Sequence, residues 1–308
     1  MGVEKTTLKE PRPAVEKKAA ALPLAGRAHP SPYASEIIIQ PARGWSALRL
    51  HELWDYRELL WLMTWRDLQT RYRQMALGPL WIFIQPLISM VLYSIIFGQI
   101  ARLPSEGKPY ALFTYVALLP WGIFTDAVNA GSGALLGSKA LLSKVYFPRL
   151  LAPISACLGS LVDFAISFLI LIALFVYYGQ WPTAGIVFIP IFLLMAILTG
   201  LAVGIWFAGV IVRYRDFGQV LGIMMRLWMY ATPVVYSITL VDQHAPSLSA
   251  LYRLNPMTGV VEGFRWALLG TSQVPGWPLW VGMAVVVVVL IGGIYNFKRV
   301  ERNIVDYV

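Results

Sequence analysis

Six apolar runs, each long enough to cross a hydrocarbon core of roughly 30 Å, constrain this chain more than any other feature. They lie near residues 80–101, 110–132, 153–178, 186–212, 217–236 and 277–297. A bilayer offers the backbone no water to bond, so runs of this kind fold as helices. The composition agrees, at 58% hydrophobic and 13% charged residues with mean hydropathy +0.64. That is about half the charged fraction of a soluble domain. The expected fold is an all-α integral membrane protein with six transmembrane helices. The fifth run is the least regular, because Arg226 lies inside it and Pro233 near its end.

Six spans put both termini on one side, and Lys and Arg choose that side. Residues 1–79 carry twelve of them, the 133–152 loop three, the 213–216 loop two and the segment after 297 three. The alternate loops carry two (102–109), none (179–185) and two (237–276). The bias predicts cytoplasmic termini. It also accounts for the net charge of +9, together with attraction to anionic lipid heads. A nucleic-acid partner is not expected, since no soluble basic domain carries the charge. Residues 1–35, rich in Ala, Pro, Lys and Glu, read as a disordered cytoplasmic tail. Residues 36–79 read as a cytoplasmic interface segment, 80–297 as the six-span domain and 298–308 as a cytoplasmic C-terminal tail.

Between Tyr56 and Trp81 the chain is basic and studded with tryptophan. Wound as a helix with the residues just before it, Trp54, Trp61, Trp65, Leu68, Tyr72 and Met75 share one stripe. Arg66, Asp67, Thr70, Arg73 and Gln74 face away from it. Such a helix suits the plane of a membrane surface, with its rings in the acyl boundary and its charges in water. EIIIQPARGW (36–45) reads as a short strand and turn before it.

The 133–152 loop is basic and contains no acid. A short helix there, broken by Pro148 and held by Lys139, Lys144 and Arg149, suits a force-receiving element at the cytoplasmic face. A loop that serves topology alone is the equal alternative. GSGALLGSK within it is not a phosphate-binding loop, because Ser138 separates Gly137 from Lys139 and a span precedes it. No nucleotide site is found, so ATP and Mg would belong to another polypeptide. Cys157 is the only cysteine, and His29, His51 and His244 are scattered, so no disulfide framework or metal site is expected.

The 237–276 loop hides a helix. Asn255 suits the N-cap, Pro256 the first turn and Gly270 the position past the end. Met257, Val260, Val261, Phe264 and Leu268 form its apolar face, and Glu262 and Arg265 stand three apart to pair. At about 21 Å it is too short to span, so a re-entrant or interfacial gate helix between spans five and six is expected. Asp126, Asp163 and Arg226 lie within apolar runs and require partners; Arg226 with one of the aspartates is the natural pair. Tyr93, Phe97, Tyr115, Trp121, Phe124, Trp228 and Tyr230 lie on spans near Pro86, Pro120 and Pro233. Flat rings there suit either packing or an aromatic conduit for sugar faces. Gly200-x-x-x-Gly204 and Gly218-x-x-x-Gly222 permit close helix approach, within the chain or between copies.

With these pieces in place, the chain resembles the membrane permease of an ABC-2 type exporter, in the branch that moves lipid-linked polysaccharides such as O-antigen. EIIIQPARGW and ELWDYRELLWLMTWRDLQTRYRQMALGPLWIFIQPL resemble the family's interface helix and first span. LLSKVYFPRLLAP and VRYRDF resemble its cytoplasmic loops, and TPVVYSI with LYRLNPMTGVVEGFRWALLG its outer end. Residues 1–35 depart from the pattern. The resemblance implies no catalysis in this chain and a homodimer bound to two copies of an ABC ATPase. It implies ATPase coupling through Lys139, Lys144, Tyr146, Phe147, Pro148 and Arg149. Arg66, Arg71, Arg73 and Lys144 become candidates for the diphosphate of a polyprenyl-linked glycan. Tyr93, Phe97, Trp121, Phe124, Trp228 and Tyr230 become candidate channel aromatics. Asn255, Pro256, Glu262, Phe264 and Arg265 would belong to an outer gate in a bacterial inner membrane. The alternatives are export of a teichoic-acid-type polymer or small hydrophobic molecule, a proton-coupled carrier using Asp126, Asp163 and Arg226, and a non-transporting scaffold.

Overall fold

The computed structural model describes residues 54–73, 80–138, 147–271 and 276–301. The expected tail 1–35, the strand expected at 36–45, and Lys139, Lys144 and Tyr146 lie outside the described residues, as do Met75 and the side chain of Arg73. All regular elements among the described residues are helical. They are α1 (Arg57–Arg73), α2 (Leu80–Tyr93) running on as a π-helical turn (Ser94–Ile100), α3 (Tyr110–Gly137) and α4 (Leu151–Tyr177). A 3-10 turn (Ala184–Phe188) leads into α5 (Ile189–Arg213) and α6 (Phe217–Tyr230). Then come α7 (Ile238–His244), α8 (Pro246–Leu254), α9 (Pro256–Leu269) and α10 (Trp277–Glu301).

The core forms around α3, which packs against α4, α5 and α9. Its Leu112, Phe113, Tyr115, Val116 and Phe124 are fully buried. Glycine allows the closest approach: a Cβ on Gly200 would lie 2.6 Å from the Ala127 Cβ and 2.8 Å from the Phe124 carbonyl. Gly204 meets Gly131 in the same way, so this small-residue pair serves packing within the chain. Gly218 and Gly222 of α6 have no such neighbour. Helix α2 is peripheral, burying Met90 and exposing Ile88, Val91 and Leu92.

Five stretches are long and apolar enough to cross a membrane: Leu80–Ile100, Tyr110–Gly137, Leu151–Tyr177, Ala184–Arg213 and Trp277–Arg299. The run expected to span at 217–236 is helical only in its first part: α6 has 14 residues and stops at Tyr230. The apolar pattern continues through Val234 and Val235, but Pro233 has no N–H to donate. Arg265, some thirty residues on, donates to the carbonyls of Pro233, Val234 and Tyr236 and holds them out of the helix.

The segment 213–235, of which α6 is the helical part, runs from one end of the bundle to the other. Leu150, Val212 and Phe297 cluster at one end. At the far end Tyr110 donates to the Val235 carbonyl, Ser237 to Glu106, Lys108 to Gln180 and Thr183 to the Ala267 carbonyl. The turn after α6 therefore meets the loop after α2, which in turn meets the loop after α4.

Helix α1 packs along α4. Thr64 Oγ1 donates to the Ser155 carbonyl, Leu68 lies against Gly159, and Arg71 and Tyr72 reach Asp163. Each contact advances about four residues on both helices, so α1 and α4 run side by side in the same direction. Met63 is buried with Phe147, Leu151 and Ala152. The expected single lipid-facing stripe is thus divided. Trp54, Trp61 and Trp65 are exposed, with Trp61 stacked on Trp65, whereas Leu68 and Tyr72 turn inward.

Candidate functional site

A cavity of about 550 Å³ opens between the last turn of α1 and helices α2, α3 and α4, with Met229 of α6 at its edge. Its size falls in the range of ligand sites. Helical periodicity places its lining: Ile82, Gln85, Ser89 and Tyr93 share one face of α2, and Gly122, Thr125, Asp126 and Asn129 one face of α3. From α4 come Asp163, Phe164 and Ser167, and from α1 Arg71 and Tyr72.

The charged floor is organised around Asp163. Arg71 Nη1 lies 2.6 Å from one carboxylate oxygen, and the Tyr72 hydroxyl donates to the other. Burial, and then the bond to Asp163, push the Tyr72 pKa up, so this phenol remains a donor. The expected partner was Arg226. Instead Arg226 sits on the exposed side of α6 with Ile223 and Leu227, and α1 supplies the cation. Asp126 stands at the same level: it is 11 residues from the end of α3, as Asp163 is 12 from the start of α4, about 17–18 Å along each helix. Among the described residues Asp126 makes no hydrogen bond or ion pair.

Hydroxyls around the cavity are mostly satisfied locally. Thr125 donates to the Gly122 carbonyl at 2.8 Å, Ser89 to Gln85 and Tyr115 to Ser167. Trp81, Trp121, Tyr93, Tyr115 and Phe164 supply ring surface. Of the expected channel aromatics, Tyr93 and Trp121 therefore line the cavity, and Phe97 packs on Tyr93 at 6.0 Å. Phe124 is fully buried, 5.1 Å from Trp121 and 5.2 Å from Trp228. The Trp228 indole N–H donates to Asn255, while Tyr230 is half exposed. Sequence reasoning missed Gln85, Ser89, Thr125, Asn129 and Ser167. Their signal was a polar residue every fourth position inside an apolar run: Gln85/Ser89, Thr125/Asn129 and Asp163/Ser167.

Helix α9 packs against α3, α5 and α10 at the far end. The Asn255 side chain accepts from the Met257 N–H, Pro256 opens the helix, and Gly270 ends it at φ 67. The helix is not laid on a surface, for Val260, Val261, Phe264 and Arg265 are fully buried. Arg265 donates to three backbone carbonyls of the turn after α6, pairs with Glu262 at 2.9 Å and stacks 3.7 Å from the Phe113 ring centre. Burial lowers its pKa and the Glu262 carboxylate opposes that shift. At the α1 end Phe147 is buried, Pro148 and Arg149 are half-buried, and Arg66 pairs with Asp67 at 2.7 Å.

Comparison with known proteins places this geometry. Residues 58–269 match the family model described as ABC-2 type transporter. Over 256 residues the chain is 33% identical to the O-antigen export system permease protein RfbA of Myxococcus xanthus, covering 82% of this chain and 96% of that protein. It is 27% identical over 203 residues to the inner membrane transport permease YadH of Escherichia coli, covering 62% and 77%. It is 23% identical over 210 residues to the polysialic acid transport protein KpsM of Escherichia coli, covering 66% and 78%.

Proposed function

Because the chain belongs to the ABC-2 type transporter family, as a multi-pass membrane permease without the ATPase domain, we propose that it exports a lipid-linked polysaccharide across the inner membrane. The observation that carries this reading is the match to an O-antigen export permease over 96% of that protein's length. The cavity supports it, because hydroxyl-bonding side chains beside aromatic rings are the chemistry a glycan needs.

ABC-2 permeases pair with ABC ATPase subunits. In our reading two copies of this chain meet two such subunits, which hold the ATP and Mg. Helix α1 and the 139–149 segment face the motor, with both termini cytoplasmic. The sixth crossing is made by α6 with the turn after it, and α9 stands at the outer mouth. Arg66 and Arg71 each already face a carboxylate, which weakens their claim on the carrier diphosphate. Arg73 and Lys144 keep that role as sequence expectations.

The test is reconstitution with the partner ATPase in sealed vesicles. ATP-dependent movement of lipid-linked glycan across the bilayer is the expected result. ATP hydrolysis that moves small hydrophobic molecules but never the glycan would sink the reading.

A further inference from the structure

We propose that the cavity is a subsite for an uncharged sugar of the substrate, with the Asp126 carboxylate as its hydroxyl acceptor, and that the carrier diphosphate binds elsewhere. This rests on the reading of the chain as a glycan exporter.

The two aspartates of the cavity stand at one level but in different states. Asp163 is occupied by Arg71 and Tyr72. Asp126 makes no hydrogen bond or ion pair among the described residues, yet it lines a cavity inside an apolar helix. A carboxylate at such a depth is costly without a donor facing it, and the open space in front of Asp126 is where that donor goes. Among the described residues the lining carries one cation, Arg71, against two carboxylates, so a diphosphate entering it meets net negative charge from them at short range. A neutral polyol meets none of that repulsion. Its hydroxyls donate to Asp126, the Asn129 amide both donates and accepts, and the rings of Trp81 and Trp121 offer flat apolar surface to a pyranose face.

The test uses the purified full-length permease in lipid nanodiscs and two probes, polyprenyl diphosphate and the same carrier bearing one N-acetylhexosamine. The wild type is expected to bind the sugared probe about tenfold more tightly than the bare one, the size of one hydrogen bond to a charged acceptor. Asp126→Leu, which removes the acceptor, brings the ratio to about one. Asp126→Asn, which keeps an uncharged acceptor, falls between. Bare-carrier affinity stays at the wild-type level or rises.

An unchanged ratio in Asp126→Leu overturns the proposal, as does equal loss of both probes. Equal effects of Asn and Leu would show that only charge matters, and would also overturn it. Thermal melting of each variant separates misfolding from lost binding, and the Asn variant keeps the test open if Leu does not fold. If the wild type binds neither probe and moves no glycan in vesicles, the exporter reading fails. If it binds and exports but the ratio ignores Asp126, the subsite alone fails.

Discussion

At the scale of residues, the polar side chains within the apolar bundle are arranged by long-range partners. Arg71 and Asp163 are 92 positions apart, with side chains 32% and 17% exposed. Removing one partner of a fully buried pair costs about 3–5 kcal/mol; partial exposure reduces this to about 1–3 kcal/mol. Arg71→Ala and Asp163→Ala should each lower the melting temperature and the export rate, and the exchange Arg71→Asp with Asp163→Arg should recover part of both. Additive losses in the exchange variant would show that the pair does not act as a unit. Arg265 presents the larger effect. One guanidinium serves three backbone carbonyls and Glu262, a fork that an ammonium does not reproduce. Arg265→Lys should destabilise by about 2–4 kcal/mol and Arg265→Met by about 3–5 kcal/mol, read by thermal unfolding in detergent. The sequence marked Asp126, Asp163 and Arg226 as residues in need of partners. It did not reveal that Arg71 would meet Asp163, or that Asp126 would face the cavity.

At the scale of elements, those whose ends depend on local chemistry were legible. Helix α9 runs from Pro256 to Leu269 with Asn255 and Gly270 at its ends, as capping rules predict, because a cap bonds groups within a few residues of itself. Asn255 also bridges to Trp228 and Thr232. Asn255→Ala should therefore cost more than the ~1 kcal/mol of a simple cap. A loss no larger than that would mean the bridges contribute nothing. Helix α6 was legible at its end only in part: Pro233 is a local breaker, whereas the carbonyls of the turn beyond it are held by the distant Arg265. The two glycine pairs looked alike in sequence and separate in the fold. Gly200→Ala places a methyl 2.6 Å from Ala127 and 2.8 Å from the Phe124 carbonyl, so it should cost about 1–3 kcal/mol by overpacking. Gly222→Ala, with nothing within 4 Å, should not destabilise the isolated chain. Equal effects of the two on unfolding would contradict the packing described.

At the scale of the whole molecule, the last turn of α1 belongs both to a helix with exposed tryptophans and to the cavity wall. Any displacement of α1 along α4 therefore changes the cavity directly through Arg71 and Tyr72. The six-crossing arrangement has its own test. Cys157, the sole cysteine, is buried, so single cysteines at exposed Ser247 and at Asn303 report topology. An impermeant maleimide should label Ser247→Cys from outside intact cells and Asn303→Cys only after the membrane is opened. The reverse pattern, Asn303→Cys labelled from outside and Ser247→Cys only after the membrane is opened, would remove the crossing assigned to α6. Labelling of both from one side would remove that of α10.

The sequence by itself determined that this is a helical membrane protein, where most spans lie, that a helix precedes the first span and how the outer helix is capped. Hydropathy over some twenty residues and capping act through neighbours along the chain, so they survive without tertiary context. Only the tertiary structure decided that α1 lies along α4, that Arg71 and not Arg226 meets Asp163, and that Arg265 holds the turn after α6. It also decided that one aspartate in the cavity is neutralised while the other faces open space. These outcomes come from packing between residues dozens of positions apart, where a low-dielectric interior makes each charge seek the nearest partner in space, not in sequence.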